Sequence, residues 1–282
     1  MNAFLNQLLV QDAVRMALLE DLGRAGDITT LATIPASATS VAQFNARETG
    51  VIAGLEFARE AFRQIDPTVQ FEVLVNDGDT VHPKQLVARA SGSSRSLLSS
   101  ERVSLNYLGR LSGIASLTAK YVAEVSHTKA KIADTRKTTP GLRAFEKYAV
   151  RCGGGINHRF GLDDAVLIKD NHIVAAGGVL NALRSAKKAV GHLVKIEIEV
   201  DTLDQLALVI SEGADVVLLD NMSNEQLREA VRRVGGKMLC EASGGVNLST
   251  VKAIAETGVD LISVGALTHS AKVMDIGLDF IG

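Results

Sequence analysis

Three short polar clusters hold most of the groups able to do chemistry in this sequence. They are Asp134-Thr135-Arg136-Lys137, which opens a run ending at Arg143, then Asn157-His158-Arg159, and Lys169-Asp170-Asn171-His172. A guanidinium offers a planar fork that matches carboxylate or phosphate oxygens, whereas an ammonium is a compact point charge. Arg136, Lys137, Arg159 and Lys169, with His158 and His172, suit a substrate carrying more than one anionic group. The charge distribution agrees. Residues 131–172 carry 8 basic against 5 acidic side chains, while 1–130 carry 12 against 13 and 173–282 carry 10 against 14. This basic island is too small for a nucleic-acid footprint and fits a small anion. The bland alternative is a solvated basic loop, but these groups recur after successive apolar runs, and that favours a site.

Two carboxylates, Glu199 and Asp220, end neighbouring apolar runs. So placed, they can hold Mg²⁺ through oxygen, stabilise positive charge developing on a sugar carbon, or simply pair with Lys169 or Lys195. Ser243-Gly244-Gly245 and Val264-Gly265-Ala266 follow the last two runs. Backbone N–H groups there can hold a phosphate, because glycine lets the main chain approach closely and serine adds a hydroxyl donor. Gly153-Gly154-Gly155 lacks the strand-to-helix pattern and trailing Lys-Ser/Thr of a phosphate-binding loop, and reads as a turn or lid. Arg102 and Arg110 fall on a helical stretch and, from the residues alone, read as solvated.

The elements that must position these groups are rhythmic. Apolar, β-branched runs occur at Lys131–Asp134, Ala165–Ile168, Val194–Val200, Val216–Leu219, Lys237–Cys240 and Leu261–Val264. Helix-period stretches alternate with them, many closed by glycine. Six βα units imply a parallel sheet with helices outside it, more readily a (β/α) barrel than a doubly wound sheet. In a barrel, the strand C-termini and the loops after them build the active site. Alternation along Lys195–Val200 turns Ile196, Ile198 and Val200 toward helices and Lys195, Glu197 and Glu199 inward. The first half differs. It has a helix over Phe4–Leu19, strands over Ser40–Arg47 and Val69–Val75, a turn at Asn76–Asp79 and a long helix over Ser96–Val125 broken near Gly109 or Gly113. That is a smaller α+β domain.

Composition bounds the rest. With 46% hydrophobic and 22% charged residues over 282 positions, a sizeable core forms and wholesale disorder is excluded. No uncharged apolar run reaches the length of a membrane span. Aromatic residues make up 4% with no Trp, which leaves no stacking platform for single-stranded nucleic acid. Cys152 and Cys240 lie far apart without metal-ligand spacing, so a disulfide framework and a structural zinc site are not expected, and a reducing cytoplasm is. The amphipathic N-terminus has no basic start and does not read as a secretion signal.

Taken together, Glu20–Asp27, Ala46-Arg-Glu-Thr-Gly50, Asp134–Arg143, Gly155–Arg159, Leu167–Ile173 and Ser263–Ala266 resemble the quinolinate phosphoribosyltransferase family. The resemblance covers nearly the whole chain. It implies an open α/β barrel with an N-terminal α/β sandwich, with boundaries expected at 1–115 for the sandwich, 116–270 for the barrel and 271–282 for a tail returning to the sandwich. It implies the reaction of quinolinate with phosphoribosyl pyrophosphate to give nicotinate mononucleotide, pyrophosphate and CO₂, with Mg²⁺ accompanying the pyrophosphate. By the same resemblance, Arg136, His158, Arg159 and Lys169 hold the two quinolinate carboxylates, Lys137 lies close to the reacting centre, and Thr135 and His172 are further substrate-binding residues. Glu199 and Asp220 fall near the ribose and metal, and Ser243–Gly245 and Val264–Ala266 form the 5′-phosphate loops. Arg102 reaches across the interface of a homodimer, or of a multiple of dimers. Three other readings compete: a phosphoribosyltransferase for another heteroaromatic acid, a non-catalytic phosphosugar-binding protein on the same barrel, and a Schiff-base aldolase using Lys169.

Overall fold

The computed structural model describes residues 5–281. Two compact units are distinguished, one comprising the chain up to Ala119 with Phe145–Gly154 and the segment from Ala271, the other Lys120–Ala144 with Gly155–Ser270. The chain opens with α1 (Gln7–Leu22), α2 (Ile28–Thr33), β1 (Thr39–Ala46), β2 (Gly50–Val51) and α3 (Leu55–Ile65). There follow β3 (Gln70–Val73), β4 (Thr80–Val81), β5 (Leu86–Ser93) and α4 (Ser94–Val125). Residue 4, the expected start of the first helix, lies outside the described residues. Helix α1 starts where the Asn6 side chain accepts the Leu8 N–H, and it buries Val10, Val14 and Leu18 as a single stripe.

The first unit is an antiparallel sheet in the order β12-β1-β5-β3, where β12 (Ile276–Ile281) is the C-terminal strand, paired along β1 from Val41 to Ala46. Phe44, Phe62 and Val87 fill its core, with Met274 and Ile276 from the C-terminal segment. The Asn76–Asp79 turn is present, closed by the Asn76 N–H on the Asp79 carboxylate. Its flanking strands nonetheless part company, β3 pairing with β5 and β4 with β2. Asp77 explains the divergence: its carboxylate accepts the N–H groups of Gly54 and Leu55 at the start of α3, and the Tyr148 hydroxyl. The turn thus anchors a helix as well as joining strands.

The long helix is continuous. Gly109 and Gly113, expected to break it, serve instead for close approach: a Cβ on Gly113 would collide with the Lys272 carbonyl, and one on Gly109 would lie 2.9 Å from the Met274 carbonyl oxygen. The Met274 N–H donates to the Gly109 carbonyl at 2.9 Å. Glycine here admits the chain that leads into β12. Gly153 is a similar case, since its Cβ would collide with the Ala115 carbonyl. The triple glycine is therefore a packed turn.

The second unit contains β6 (Lys131–Ala133), then, beyond α5 (Arg143–Cys152), β7 (Val166–Ile168), α6 (Asp170–Ala175), α7 (Val179–Ala189) and β8 (Ile196–Val200). It continues through α8 (Leu203–Glu212), β9 (Val216–Asp220), α9 (Asn224–Val234), β10 (Leu239–Ser243), α10 (Val251–Ala255), β11 (Leu261–Ser263) and α11 (Ala266–His269). Its six strands are parallel, in the order β6-β11-β10-β9-β8-β7. Successive strands are neighbours without the reversal of a doubly wound sheet, and β6 closes onto β11 rather than β7. The result is a (β/α) barrel left open between β6 and β7, and from Phe145 the helix connecting those strands belongs to the first unit. One alternation runs differently from expectation. Lys195 precedes β8, is 75% exposed and pairs with Asp215 at 2.5 Å, so two charges of that strand face inward and not three. No helix among the described residues is long and apolar enough to cross a membrane.

Replacing glycine by alanine inside a helix ordinarily gains about 1 kcal/mol. For Gly113→Ala the collision with Lys272 should outweigh that and cost roughly 1–3 kcal/mol. The urea midpoint checks it; an unchanged or raised midpoint would show that the 270–275 segment yields freely.

Candidate active site

Alternate residues on one face of a strand share a direction, and the open barrel uses this to build one cavity of about 810 Å³. Leu167 and Lys169 come from β7 and its end, Glu199 from β8, Leu218 and Asp220 from β9, Glu241 and Ser243 from β10, Ser263 and Gly265 from β11 and its end. The register aligns them, with Glu199 opposite Leu218, Leu218 opposite Glu241 and Asp220 opposite Ser243. Thr135, Arg136 and Lys137 enter after β6, and His158 and Arg159 before β7.

Of the residues singled out from sequence, Thr135, Arg136, Lys137, His158, Arg159, Lys169, Glu199, Asp220, Ser243, Gly244, Gly245, Val264, Gly265 and Ala266 all line this cavity. His172 does not. It is exposed, and its Nδ1 accepts the Lys169 N–H at 2.9 Å, capping the start of α6. Arg102 sits exposed on α4 in the first unit. Leu167, Leu218, Asn221, Glu241, Val246, Ser263 and His269 complete the wall. Strand alternation would have found Leu218, Glu241 and Ser263; His269, on the four-residue α11, has no comparable signal.

One side of the cavity is cationic. The Nε atoms of Arg136 and Arg159 are buried with no hydrogen-bond partner. Burial, and next the charge of Arg136, hold the Arg159 guanidinium below its usual pKa. It remains protonated, since guanidinium is not titrated in proteins. Two converging cations with unmet buried donors call for an anion. Arg159 is fixed by Nη1 on the Ala165 carbonyl at 3.0 Å.

Beneath lies a carboxylate floor. Asp134, fully buried, accepts the His158 N–H at 2.9 Å and the Asn157 side-chain amide at 2.6 Å. The His158 Nε2 lies 2.8 Å from Glu197 Oε2 and 3.7 Å from Glu241 Oε1. Burial, and then the charge on Glu197, raise the Glu241 carboxyl well above the ordinary range, while His158 and the Ser263 hydroxyl oppose the rise.

The remaining wall carries the other carboxylates. Lys169 Nζ sits 2.8 Å from Glu199 Oε2. Asp220 Oδ2 accepts the Asn221 side-chain amide at 2.6 Å, and the Asn221 N–H donates to the Ser243 carbonyl at 2.9 Å. Asn221 also packs where a Cβ on Gly244 (φ +95°) would stand, which ties the β9 end to the Ser-Gly-Gly loop. Glu199, Asp201 and Asp220 each bring one carboxylate oxygen within 4.8 Å of the others. Such an all-oxygen set suits a hard cation such as Mg²⁺. Asp201, exposed at the end of β8, was not among the expected ligands. Outside the cavity, Cys152 is half-buried beside Tyr148 and Asp77, and burial pushes its thiol up to about 12, which makes it a poor nucleophile.

The Glu241 shift has a sign. A carboxyl that keeps its proton in the folded state while the unfolded chain releases it loses stability as pH rises from its ordinary value of 4.5 toward about 8. Glu241→Gln imitates the protonated form and should remove that loss. Its Tm should match wild type near pH 5 and exceed it by several degrees (about 3 °C or more) near pH 8. Parallel Tm curves for the two proteins would show that Glu241 is ionised throughout.

The chain matches the family models for the quinolinate phosphoribosyl transferase N-terminal domain over residues 27–112 and C-terminal domain over residues 114–279. It is 44% identical over 275 residues to the probable nicotinate-nucleotide pyrophosphorylase (carboxylating) of Bacillus subtilis, covering 98% of this chain and 94% of that one. The corresponding Mycobacterium leprae protein is 46% identical over 274 residues, with 95% and 96% covered. The nicotinate-nucleotide pyrophosphorylase structure from Francisella tularensis superposes with a TM-score of 0.96 at 41% identity, covering 100% of this chain and 99% of that one. By sequence and by fold, the chain belongs to the quinolinate phosphoribosyl transferase family.

Proposed function

We propose that this chain transfers phosphoribosyl from phosphoribosyl pyrophosphate to quinolinate with decarboxylation, giving nicotinate mononucleotide, pyrophosphate and CO₂. The observation that carries the reading is the pair of guanidiniums, Arg136 and Arg159, with buried unpartnered Nε atoms on one side of the cavity. Family membership supplies the substrate class. A pyridine dicarboxylate puts two negative charges where these cations converge, and Lys137 and Lys169, which also line the cavity, add two more positive charges.

Holding the pyridine nitrogen in line with the ribose carbon supplies much of the rate by positioning. As pyrophosphate departs, positive charge grows on the ribose, and Glu199 and Asp220 stabilise it electrostatically from fixed strand ends. Once the C–N bond has formed, the cationic ring accepts the electron pair left when the adjacent carboxylate departs as CO₂, and a proton replaces it on carbon. Lys137, exposed at the cavity, would act at the reacting centre. Glu199, Asp201 and Asp220 would hold Mg²⁺, which when bound neutralises pyrophosphate charge. Ser243–Gly245 and Val264–Ala266 would take the 5′-phosphate on backbone N–H groups. The Schiff-base alternative fares poorly: Lys169 is half-exposed and held by Glu199, the reverse of the desolvated amine that chemistry needs. Both cysteines are free, in keeping with a reducing cytoplasm.

The test is pyrophosphate release from phosphoribosyl pyrophosphate with Mg²⁺, with and without quinolinate. Release should depend on quinolinate, match CO₂ one for one and be abolished in Arg136→Ala; release with nicotinate at an equal rate would sink the two-carboxylate reading. Lys137→Ala should lower kcat about 100-fold or more with a much smaller change in quinolinate KM. A pure KM effect would make Lys137 a uniform binder.

We also propose a homodimer, or a multiple of dimers, in which Arg102 serves the site of a second copy. Mixing inactive Arg102→Ala with inactive Lys137→Ala should then restore about a quarter of wild-type activity, because half of the random dimers regain one intact site. No recovery after subunit exchange would place Arg102 in its own chain's site or in none.

A further inference from the structure

His158 lines the cavity, and the obvious role for its ring is to touch a substrate carboxylate. The hydrogen bonds assign it another. Its Nδ1 accepts the N–H of Arg159 at 2.8 Å. A nitrogen that accepts carries a lone pair, so the proton sits on Nε2 and the ring is neutral. That Nε2–H is spent on Glu197 Oε2 at 2.8 Å, with Glu241 Oε1 behind it at 3.7 Å. Both ring nitrogens are thus engaged inside the protein.

We infer that Glu197, through the His158 ring, is a positioning residue for Arg159. The carboxylate orients the imidazole, and the imidazole holds the Arg159 backbone at the angle that brings its guanidinium to the cavity. The same three residues are held from the other side by Asp134, which takes the His158 N–H and the Asn157 amide. These ties address the His158 and Arg159 N–H groups, the Asn157 side-chain amide or the His158 ring, and none of them addresses the Arg159 guanidinium. Held in this way, the charge stays free for an anion. Glu241 lies behind Glu197, its Oε1 3.7 Å from the His158 Nε2 and, like Glu197 Oε1, buried without a hydrogen-bond partner. A residue that orients a binding group from one shell away typically matters by a factor of about 10–100.

This inference rests on the reading of Arg159 as a quinolinate-binding group, and two measurements separate its failure from that of the reading. The first needs no turnover. In ¹⁵N-histidine-labelled protein, His158, assigned by its loss in His158→Asn, should show a protonated Nε2 and an unprotonated Nδ1, and saturating quinolinate should leave both shifts in place. A doubly protonated ring, or a Nε2 shift that moves with quinolinate, would overturn the inference whatever the reaction proves to be. The second is kinetic. Glu197→Ala should raise quinolinate KM about 10-fold or more with kcat within about 3-fold. Glu197→Gln keeps an oxygen that can accept from Nε2–H and should stay within about 3-fold of wild-type KM. If Glu197→Gln is as damaging as Glu197→Ala, the negative charge matters rather than the acceptor, and the neutral-ring assignment falls.

Discussion

The cavity is organised by a repulsion. Arg136 and Arg159 bring two permanent charges close enough for one to depress the protonation of the other, with buried donors left unmatched. Like charges brought together in a partly buried site repel one another, more strongly than they would in water. A loop free to move would swing them apart. Here the chain around each is held by groups that do not quench its charge. Buried Asp134, just past β6, pins residues 157 and 158, and through them the segment carrying Arg159, while Arg136 follows two residues after Asp134 on the same strand end. One buried carboxylate therefore ties the segment carrying Arg159 to the strand end that leads into Arg136.

The parallel sheet makes such placement possible with short strands. All six run the same way, so their C-terminal ends and the turns after them fall on one side of the unit. Lateral register then carries neighbouring side chains into rows: Glu199, Leu218 and Glu241 in one, Asp220 and Ser243 in the next. β6 and β7 do not pair with each other, and this has a counterpart in the site. Ile156, in the connection between them, bridges Ala133 of β6 in parallel, and His158 and Arg159 follow it into the wall.

Much of this was legible because strand alternation and strand ends are local signals. The runs ending at Lys169, Glu199, Asp220, Ser243 and Ser263 could be read one by one, and a shared cavity followed once they belonged to one sheet. Failures occurred where a partner far along the chain decides the outcome. Gly109 and Gly113 look like helix breakers until residues 272–274 are seen to need their missing side chains. Lys195 fits the inward alternation of β8, yet it lies before the strand begins and meets Asp215 instead. His172 sits in the motif with Lys169, but one turn of helix directs its ring to the cap. The placement of His269 depends on a single short turn after β11, which no periodicity marks.

Glu197 and Glu199 show how closely spaced residues divide their work. They stand two positions apart on the same face of β8, a separation of about 7 Å along the strand. The deeper one meets a histidine and a second carboxyl, and belongs to the framework that aims Arg159. The outer one meets Lys169 and the cluster of Asp201 and Asp220 at the rim. On the proposed reaction, the substrate arrives as an anion at the arginines, while positive charge develops on the sugar it attacks. Cations on one wall and carboxylates on the facing strand ends reproduce that order of charge before either substrate arrives. Protein dipoles and charges that are already in place need not reorganise as the bond breaks, and such preorganisation is where electrostatic catalysis has its largest effect. The cost is borne in the floor, where burial and the neighbouring Glu197 favour the protonated form of Glu241.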